Sequence, residues 1–482
     1  MINFRPILKI LGALAGLIGI LMWSGLLMVF LDEVEDWKSL FYSGLICFFI
    51  GAILWRFKPE GSTNVGKREG YLIVALGWIM MTILSTIPYF WSGAISSVPD
   101  AFFETVSGLT TTGATILEDI EAVSTDILYW RSLTQWLGGM GIIVLTVAVF
   151  PLLGIGGVEL FVAEAPGPTS DKIHPKIQET AKRLWFIYLG LTALLIGILH
   201  LEGMTLYDAV NHALTTMSTG GFSTKNDSIA AFDVPIIQYT IIFFMFLAGT
   251  NYTVIYFGLR GRFKDVWKSD EFKFYVLVIL TLLVILLPII FQSNGYSESS
   301  FRDGLFQIIA IVTTTGYVTA DYTSWSLGAT FIFFLLIFSG ACAGSTSGGI
   351  KLVRTMTFLK NSFLEFKRLL HPRAVIRMRL NGNIVSGRIL TQITIFLLVY
   401  ITLFLFGTIV LSFMGIEFKT ALGASATSLS NVGPAIGDVG PMDNFAWLPD
   451  GAKIFLLILM IIGRLELFTI LILFTPYFWR VN

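Results

Sequence analysis

Ten apolar runs divide the chain, near 10–31, 39–55, 71–92, 132–157, 184–201, 235–257, 274–292, 326–343, 389–414 and 454–475. Each approaches the roughly 20 residues that an α-helix needs to cross a bilayer. Short polar stretches separate most of them, with one long polar stretch at 351–388. The pattern predicts an all-α polytopic membrane protein. The first run, Ile10 to Leu31, is 22 residues and follows Arg5 and Lys9. It is too long for a signal-peptide core and is expected to be a retained helix.

A second pattern lies between the third and fourth runs, and again between the fifth and sixth, seventh and eighth, and ninth and tenth. These segments read DAFFETVSGLTTTG from Asp100, DAVNHALTTMSTGG from Asp208, DGLFQIIAIVTTTG from Asp303 and TALGASATSLSNVG from Thr420. In each, the final glycine (Gly113, Gly221, Gly316 or Gly433) stands 13 positions after the first residue. The unit is therefore span, short helix, glycine turn, span. Expected boundaries are 1–69 for two extra helices, then 70–160, 161–262, 263–387 (with an intramembrane loop) and 388–482 for four repeats.

One Thr-Thr-Gly would carry no weight, because small residues also help membrane helices pack. Four copies in one register point instead to a cation pore folded from a single polypeptide. A dehydrating cation needs oxygens in place of water, and backbone carbonyls from four converging segments supply them. Aiming successive carbonyls at one axis takes the chain through positive φ, which glycine adopts without steric cost. Each short helix would direct its negative end at the pore centre. Irregular backbone is tolerated at membrane depth where it lines a watery cavity.

Composition agrees. Of 482 residues, 55% are hydrophobic and 13% charged, against about 25% charged in soluble proteins. Net charge is zero and by itself says nothing about nucleic acid; no such partner is expected. Cys47 and Cys342 lie in apolar stretches, and His174, His200, His212 and His371 are scattered. They imply neither a disulfide framework nor a metal cluster. Nucleotide fingerprints are absent from the sequence, as is a nucleophile–base pair. No cofactor is expected in this chain, and a membrane enzyme is argued against.

Charge placement sets orientation. Loop 56–68 holds Arg56, Lys58, Lys67 and Arg68; 258–273 holds five Lys and Arg; 351–388 holds nine. Residues 32–36 read DEVED, and 117–126 holds Glu118, Asp119, Glu121 and Asp126 without a cation. Basic loops mark the cytoplasm, so both termini are expected inside and all four glycine turns outside. An acidic outer vestibule would concentrate cations.

The chain resembles the Trk/Ktr/HKT superfamily of potassium transporters, in its Trk branch, over essentially its whole length. The similarity rests on TTTGAT (110–115), STGGFST (218–224), TTTGYVT (313–319), SNVGPAIG (430–437), QWLGGMGIIVL (135–145), SGACAGSTSGG (339–349) and GRLELFTILILFTPYFWR (463–480). It implies four M1–pore helix–M2 repeats around one pseudo-fourfold pore, in a bacterial inner membrane. It also implies a homodimer with one pore per protomer, and a cytosolic regulatory ring that binds nucleotides and gates the pore. The implied selectivity filter comprises Thr111, Thr112, Gly113, Thr219, Gly220, Gly221, Thr314, Thr315, Gly316, Asn431, Val432 and Gly433. Potassium would pass the carbonyls of Thr111, Thr112, Thr219, Gly220, Thr314, Thr315, Asn431 and Val432. Glycine at all four ends goes with potassium in this family, whereas serine in the first repeat goes with sodium. Asn431 and Val432 replace the usual threonines, so fourfold symmetry is broken.

Arg464 stands at the eleventh position of the 22-residue run Ile454–Thr475. At ~1.5 Å per residue it lies about 16 Å from either end, and a mid-membrane Arg costs roughly 2.5–3.5 kcal/mol. It is either half of a structural ion pair or a positive barrier in the pore; the resemblance favours the barrier. Ser339–Gly349 packs four glycines, three serines and a threonine into eleven residues after the apolar half-span TFIFFLLIF. A simple kink is the plainer reading. The sharper one is a loop crossing the pore beneath the filter, with Gly340, Gly344, Ser345, Thr346, Gly348 and Gly349 in the gate alongside Arg464. Lys351 is the expected partner of Glu466. Asp100, Asp208 and Asp303 are expected to cap the short helices, and His212 to be hydrogen-bonded rather than a pH sensor. Met356, Leu359, Phe363, Phe366 and Leu370 recur at helical spacing, either along the inner interface or on a cytoplasmic helix extension. The expected activity is potassium uptake down its gradient. The alternative is a secondary transporter coupling potassium to protons or sodium, for which Glu466 is the titratable candidate.

Overall fold

A computed structural model describes residues 4–29, 37–57, 66–141 and 177–480. The described chain is helical apart from one hairpin, whose strands Arg379–Leu380 and Asn383–Ile384 pair antiparallel across an Asn381-Gly382 turn. Both turn residues have positive φ, as a two-residue hairpin with right-twisted strands requires.

Helices α1 (Phe4–Ser24) and α2 (Lys38–Trp55) pack antiparallel at the start of the described chain. They meet through glycines: a Cβ on Gly19 would lie 2.6 Å from the Gly44 carbonyl oxygen. Close backbone approach of this kind replaces the hydrophobic drive that lipid cannot supply. Helix α3 (Lys67–Ser92) then opens the first repeat and carries Pro88 within it.

Each repeat places a short helix after its long one. These are α4 (Val98–Leu109), followed by α5 (Thr125–Trp136); then α6 (Ile177–Leu201) and α7 (Leu206–Met217). Helices α8 (Pro235–Ala248), α9 (Tyr252–Leu259), α10 (Asp270–Asn294), α11 (Glu298–Val312) and α12 (Leu327–Ile337) follow. The chain continues through α13 (Leu352–Leu370), α14 (Gly387–Phe413), α15 (Phe418–Ser430), α16 (Asp450–Arg464) and α17 (Phe468–Leu471). The short helices α4, α7, α11 and α15 are buried almost throughout, in accord with a central position.

The ten expected spans are not ten uninterrupted helices. Among the described residues, six helices of at least 18 residues are apolar enough to cross a membrane. The expected spans 235–257 and 454–475 are bent by 110° and 106° at their midpoints. The 326–343 span is an 11-residue helix that ends at Ile337. The 132–157 span passes into a π-turn at Leu137–Gly141, and its remainder lies outside the described residues. Thus, among the described residues, the expected spans 235–257, 326–343 and 454–475 are each interrupted. Two of the breaks adjoin tight backbone packing: a Cβ on Gly138 would sit 1.7 Å from the Leu109 carbonyl oxygen, and one on Gly463 2.0 Å from that of Leu429. These two breaks press against the ends of short helices, and hydropathy carries no record of that contact.

The Asp residues do not cap the short helices. The capping side chains are Thr205, which accepts from the Asp208 amide, Ser297 from Ser300 and Glu417 from Thr420. Asp208 instead accepts from the hydroxyls of Thr205 (2.9 Å) and Thr224 (2.6 Å). Asp100 forms a 2.6 Å ion pair with buried Lys453. Helix α13 buries Met356 but leaves Leu359, Phe363, Phe366 and Leu370 exposed.

Candidate functional site

The four glycine turns meet in one ring. Just before each glycine, Thr111, Thr219, Thr314 and Asn431 take left-handed φ of 55°, 54°, 58° and 55°. For a β-branched residue that conformation is a true outlier, and three of the four are threonine. It is sustained by a repeated bond: the amides of Thr112, Gly220, Thr315 and Val432 each donate to the carbonyl five residues back, at 2.8–3.2 Å. Gly113, Gly221, Gly316 and Gly433 follow with φ of 80°, 78°, 74° and 100°.

Close approach fixes the order around the ring. A Cβ on Gly113 would lie 2.3 Å from the Gly220 carbonyl oxygen, and one on Gly221 1.9 Å from that of Thr315. On Gly316 it would lie 2.0 Å from the Val432 oxygen, and on Gly433 2.7 Å from that of Thr112. Each glycine faces the carbonyl before the next repeat's glycine, and the fourth returns to the first. The ring closes with the carbonyl oxygens of Thr112, Gly220, Thr315 and Val432 facing its glycines.

One mouth of the ring opens into a cavity of about 220 Å³ that all four glycines line. Glu118, Asp227 and Asp443 line it too, but so do Lys225 and Arg131, so its charge is more mixed than the sequence implied. Asp126 does not reach it; that carboxylate is buried and accepts from the Ser39 hydroxyl. Asp119 accepts from the Asn226 amide at 3.0 Å, and this bond holds its carboxyl below the usual range.

The opposite face of the ring abuts the Ser339–Gly349 segment. That segment is a closed loop: the Gly340 amide donates to Ile350 (2.6 Å) and Ile350 to Phe338 (3.0 Å). Gly344 and Gly349 take φ of 71° and 60°. Gly340 faces the Gly348 carbonyl, and Ser345 donates to the Cys342 carbonyl at 2.6 Å. Thr346 reaches the carbonyls of Met217 (3.1 Å) and Ala248 (3.3 Å). The Gly348 amide donates to the Thr314 hydroxyl at 2.7 Å, joining loop to ring. Arg464 donates to the carbonyls of Thr346 (3.0 Å), Gly138 (2.6 Å) and Gly139 (2.8 Å). It thereby ties the loop to the interrupted helices of two repeats.

Thr314→Val removes the acceptor for the Gly348 amide while keeping side-chain volume. Losing one such bond costs about 1 kcal/mol. The loop should leave its docked position several times more often, raising basal cation leak in reconstituted vesicles. A leak equal to wild type would separate loop from ring.

Lys351 is not the bonded partner of Glu466. Glu466 pairs with Arg354, whereas the Lys351 ammonium turns back to the Ser347 carbonyl. The reason is the break after Arg464: Glu466 and Leu467 adopt φ of 52° and 59°. This reversal swings the carboxylate towards the first turn of α13, which no straight-helix projection anticipates. His212 is buried and bonded to the Asp208 carbonyl (2.8 Å) and Ser223 hydroxyl (2.9 Å), as expected.

Three residues adjoining the ring escaped the sequence reading: Glu104, Arg131 and Gln135. Arg131 and Glu104 form a 2.5 Å ion pair with 2% and 0% exposure. Glu104 also accepts from Thr115 and the Ile116 amide, both just past Gly113. The signal available was two opposite charges in otherwise apolar elements of one repeat. Among the described residues, no group of three or more His, Cys, Asp and Glu could hold a metal ion.

A family model described as a cation transport protein, TrkH, matches residues 37–480. The chain belongs to the TrkH family. It is an ion-transport membrane protein, not an enzyme. Among TrkH-family proteins, the Trk system potassium uptake protein TrkH of Salmonella typhimurium (strain LT2) is 38% identical, over 99% of this chain and 100% of that one. The Trk system potassium uptake protein TrkG of Escherichia coli (strain K12) is 33% identical, over 99% of both. The crystal structure of the potassium transporter TrkH from Vibrio parahaemolyticus superposes with a TM-score of 0.88 at 34% identity, covering 99% of this chain and 100% of that chain. Within this TrkH-family fold the fourth segment departs from the other three. Asn431 donates to the Thr112 hydroxyl and the Met460 carbonyl, both at 3.0 Å, bridging the fourth segment to the first.

Proposed function

We propose that this protein is the potassium-conducting subunit of a Trk-type uptake system. The closed ring of four glycine turns carries the reading. Its carbonyls replace the water shell of a dehydrated potassium ion, and the cavity beyond Gly113, Gly221, Gly316 and Gly433 is the outer vestibule. Thr111, Thr112, Thr219, Gly220, Thr314, Thr315, Asn431 and Val432 supply the coordinating oxygens. Arg464 and the Ser339–Gly349 loop form the closed gate below. A cytosolic ring of nucleotide-binding subunits opens that gate, and the protein works as a homodimer. Both termini face the cytoplasm of a bacterial cell, with repeats at 70–160, 161–262, 263–387 and 388–482 after the two helices of 1–69.

Coupled transport with protons or sodium is the second reading, because Glu466 lies at the break beside Arg464. Against it, the Glu466 carboxylate is already engaged in an ion pair with Arg354.

Flux through purified protein in liposomes tests the proposal. A unit charge a few ångströms from the path is worth more than about 1.4 kcal/mol at an effective dielectric of about 20. Arg464→Ala should therefore raise basal potassium flux at least ~10-fold. Gly113→Ser should weaken discrimination against sodium. Wild-type uptake that demands a proton or sodium gradient, with reversal potentials at a fixed stoichiometry, would replace the channel reading by the coupled one.

A further inference from the structure

The second segment of the ring is held differently from the first and third. In the first segment the hydroxyls of Thr110 and Thr112 share a 2.7 Å hydrogen bond, and in the third those of Thr313 and Thr315 share one of 2.8 Å. Each braces the residue before its glycine from within. The second segment has Gly220 at that position and no side chain to brace it.

Gln135, from helix α5 of the first repeat, fills that space. A Cβ on Gly220 would lie 2.3 Å from both Cδ and Oε1 of Gln135 and 2.8 Å from its Nε2. The amide is used at both ends. Nε2 donates to the Gly220 carbonyl at 2.7 Å, and Oε1 accepts from the Phe222 amide at 3.0 Å. One turn earlier on the same face, Arg131 donates to the Ser223 carbonyl at 2.9 Å. Its guanidinium carbon lies 3.5 Å from the centre of the Phe222 ring. Both side chains are buried.

We propose that Gln135 acts as the missing side chain of Gly220 and is a positioning residue for cation selectivity. This deepens the filter reading and rests on it. The donor on the Gly220 oxygen fixes the direction of that carbonyl and occupies part of its acceptor capacity. Among the described residues, the Thr112, Thr315 and Val432 oxygens carry no side-chain donor. Among the described residues, the Gly220 oxygen is thus the one of these four that takes a side-chain donor, and that donor comes from a different segment. Without Gln135 the Gly220 carbonyl can turn, and the ring loses the rigidity that separates potassium from the smaller sodium ion. Arg131 secures the segment just beyond.

The test uses the full-length protein in liposomes, with potassium and sodium fluxes measured side by side. Gln135→Met keeps length and volume but removes both bonds. It should still conduct, with the potassium-to-sodium flux ratio reduced roughly five- to tenfold, as expected for losing about one net hydrogen bond. Gly220→Thr should not conduct, because its side chain collides with Gln135. Gly220→Thr with Gln135→Ala should conduct again, since the threonine then occupies the vacated space as in the first and third segments. A wild-type flux ratio in Gln135→Met overturns the proposal, as does normal conduction in Gly220→Thr. If Gln135→Met fails to reach the membrane, the threonine pair decides: rescue supports the proposal, and no rescue overturns it. Gly113→Ser is the control. If it shifts the ratio and Gln135→Met does not, this inference fails alone; if neither shifts it, the filter reading falls with it.

Discussion

Gly221→Ala is expected to abolish cation uptake. The added Cβ would lie 1.9 Å from the Thr315 carbonyl oxygen and 3.0 Å from its carbon. The obstacle is backbone, pinned by the Thr315 amide bond to Ala310 at 2.8 Å, so no side chain can swing aside. Overpacking of this kind costs roughly 1–3 kcal/mol. A left-handed conformation adds about 1–2 kcal/mol for any L-residue other than glycine. Because each glycine abuts the next repeat's carbonyl, displacement at one place passes around the ring. Rubidium uptake into vesicles should fall by roughly 100-fold, the factor that about 3 kcal/mol represents. Gly197→Ala is the matched control, since its Cβ would meet nothing within 4 Å. Uptake at the wild-type rate in Gly221→Ala would mean that cations do not pass through the ring.

Arg131→Met is expected to be the most destabilising single change near the ring. It strands the Glu104 carboxylate, whose exposure is 0%. Breaking a buried pair by removing one partner costs about 3–5 kcal/mol, because an uncompensated charge stays buried. The Thr115 and Ile116 donors remain on Glu104, which places the effect towards the lower end of that range. Thermal unfolding in detergent should show a much lower midpoint for Arg131→Met. Adding Glu104→Gln should recover more than half of the loss, since the stranded charge is then gone. A single variant that melts with wild type, or a double variant no better than the single, would show that the pair contributes little.

Much of the architecture was legible in the order of residues. Hydropathy marked the long helices, since a span needs a continuous apolar run whatever it packs against. The 13-residue register to Gly113, Gly221, Gly316 and Gly433 placed those glycines in equivalent positions, because only glycine tolerates both their backbone angle and their close neighbours. Ser339–Gly349 was legible as a loop, since four glycines in eleven residues cannot remain a stable helix.

The interruptions of the other second helices were not legible. Leu465, Glu466 and Leu467 read as ordinary helix formers, and the break there adjoins the close approach of Gly463 to the Leu429 carbonyl, 34 residues away in sequence. The same break turned Glu466 to Arg354 rather than Lys351. Gln135 looked like part of an apolar span, and nothing local ties it to Gly220, 85 positions later. The sequence by itself determined the elements and the chemistry at their ends, because these depend on periodicity and on the conformational limits of single residues. Only the tertiary structure decided which charge meets which, where helices break, and which side chain stands behind each carbonyl. Those depend on contacts between distant residues, whose spacing along the chain carries no signal.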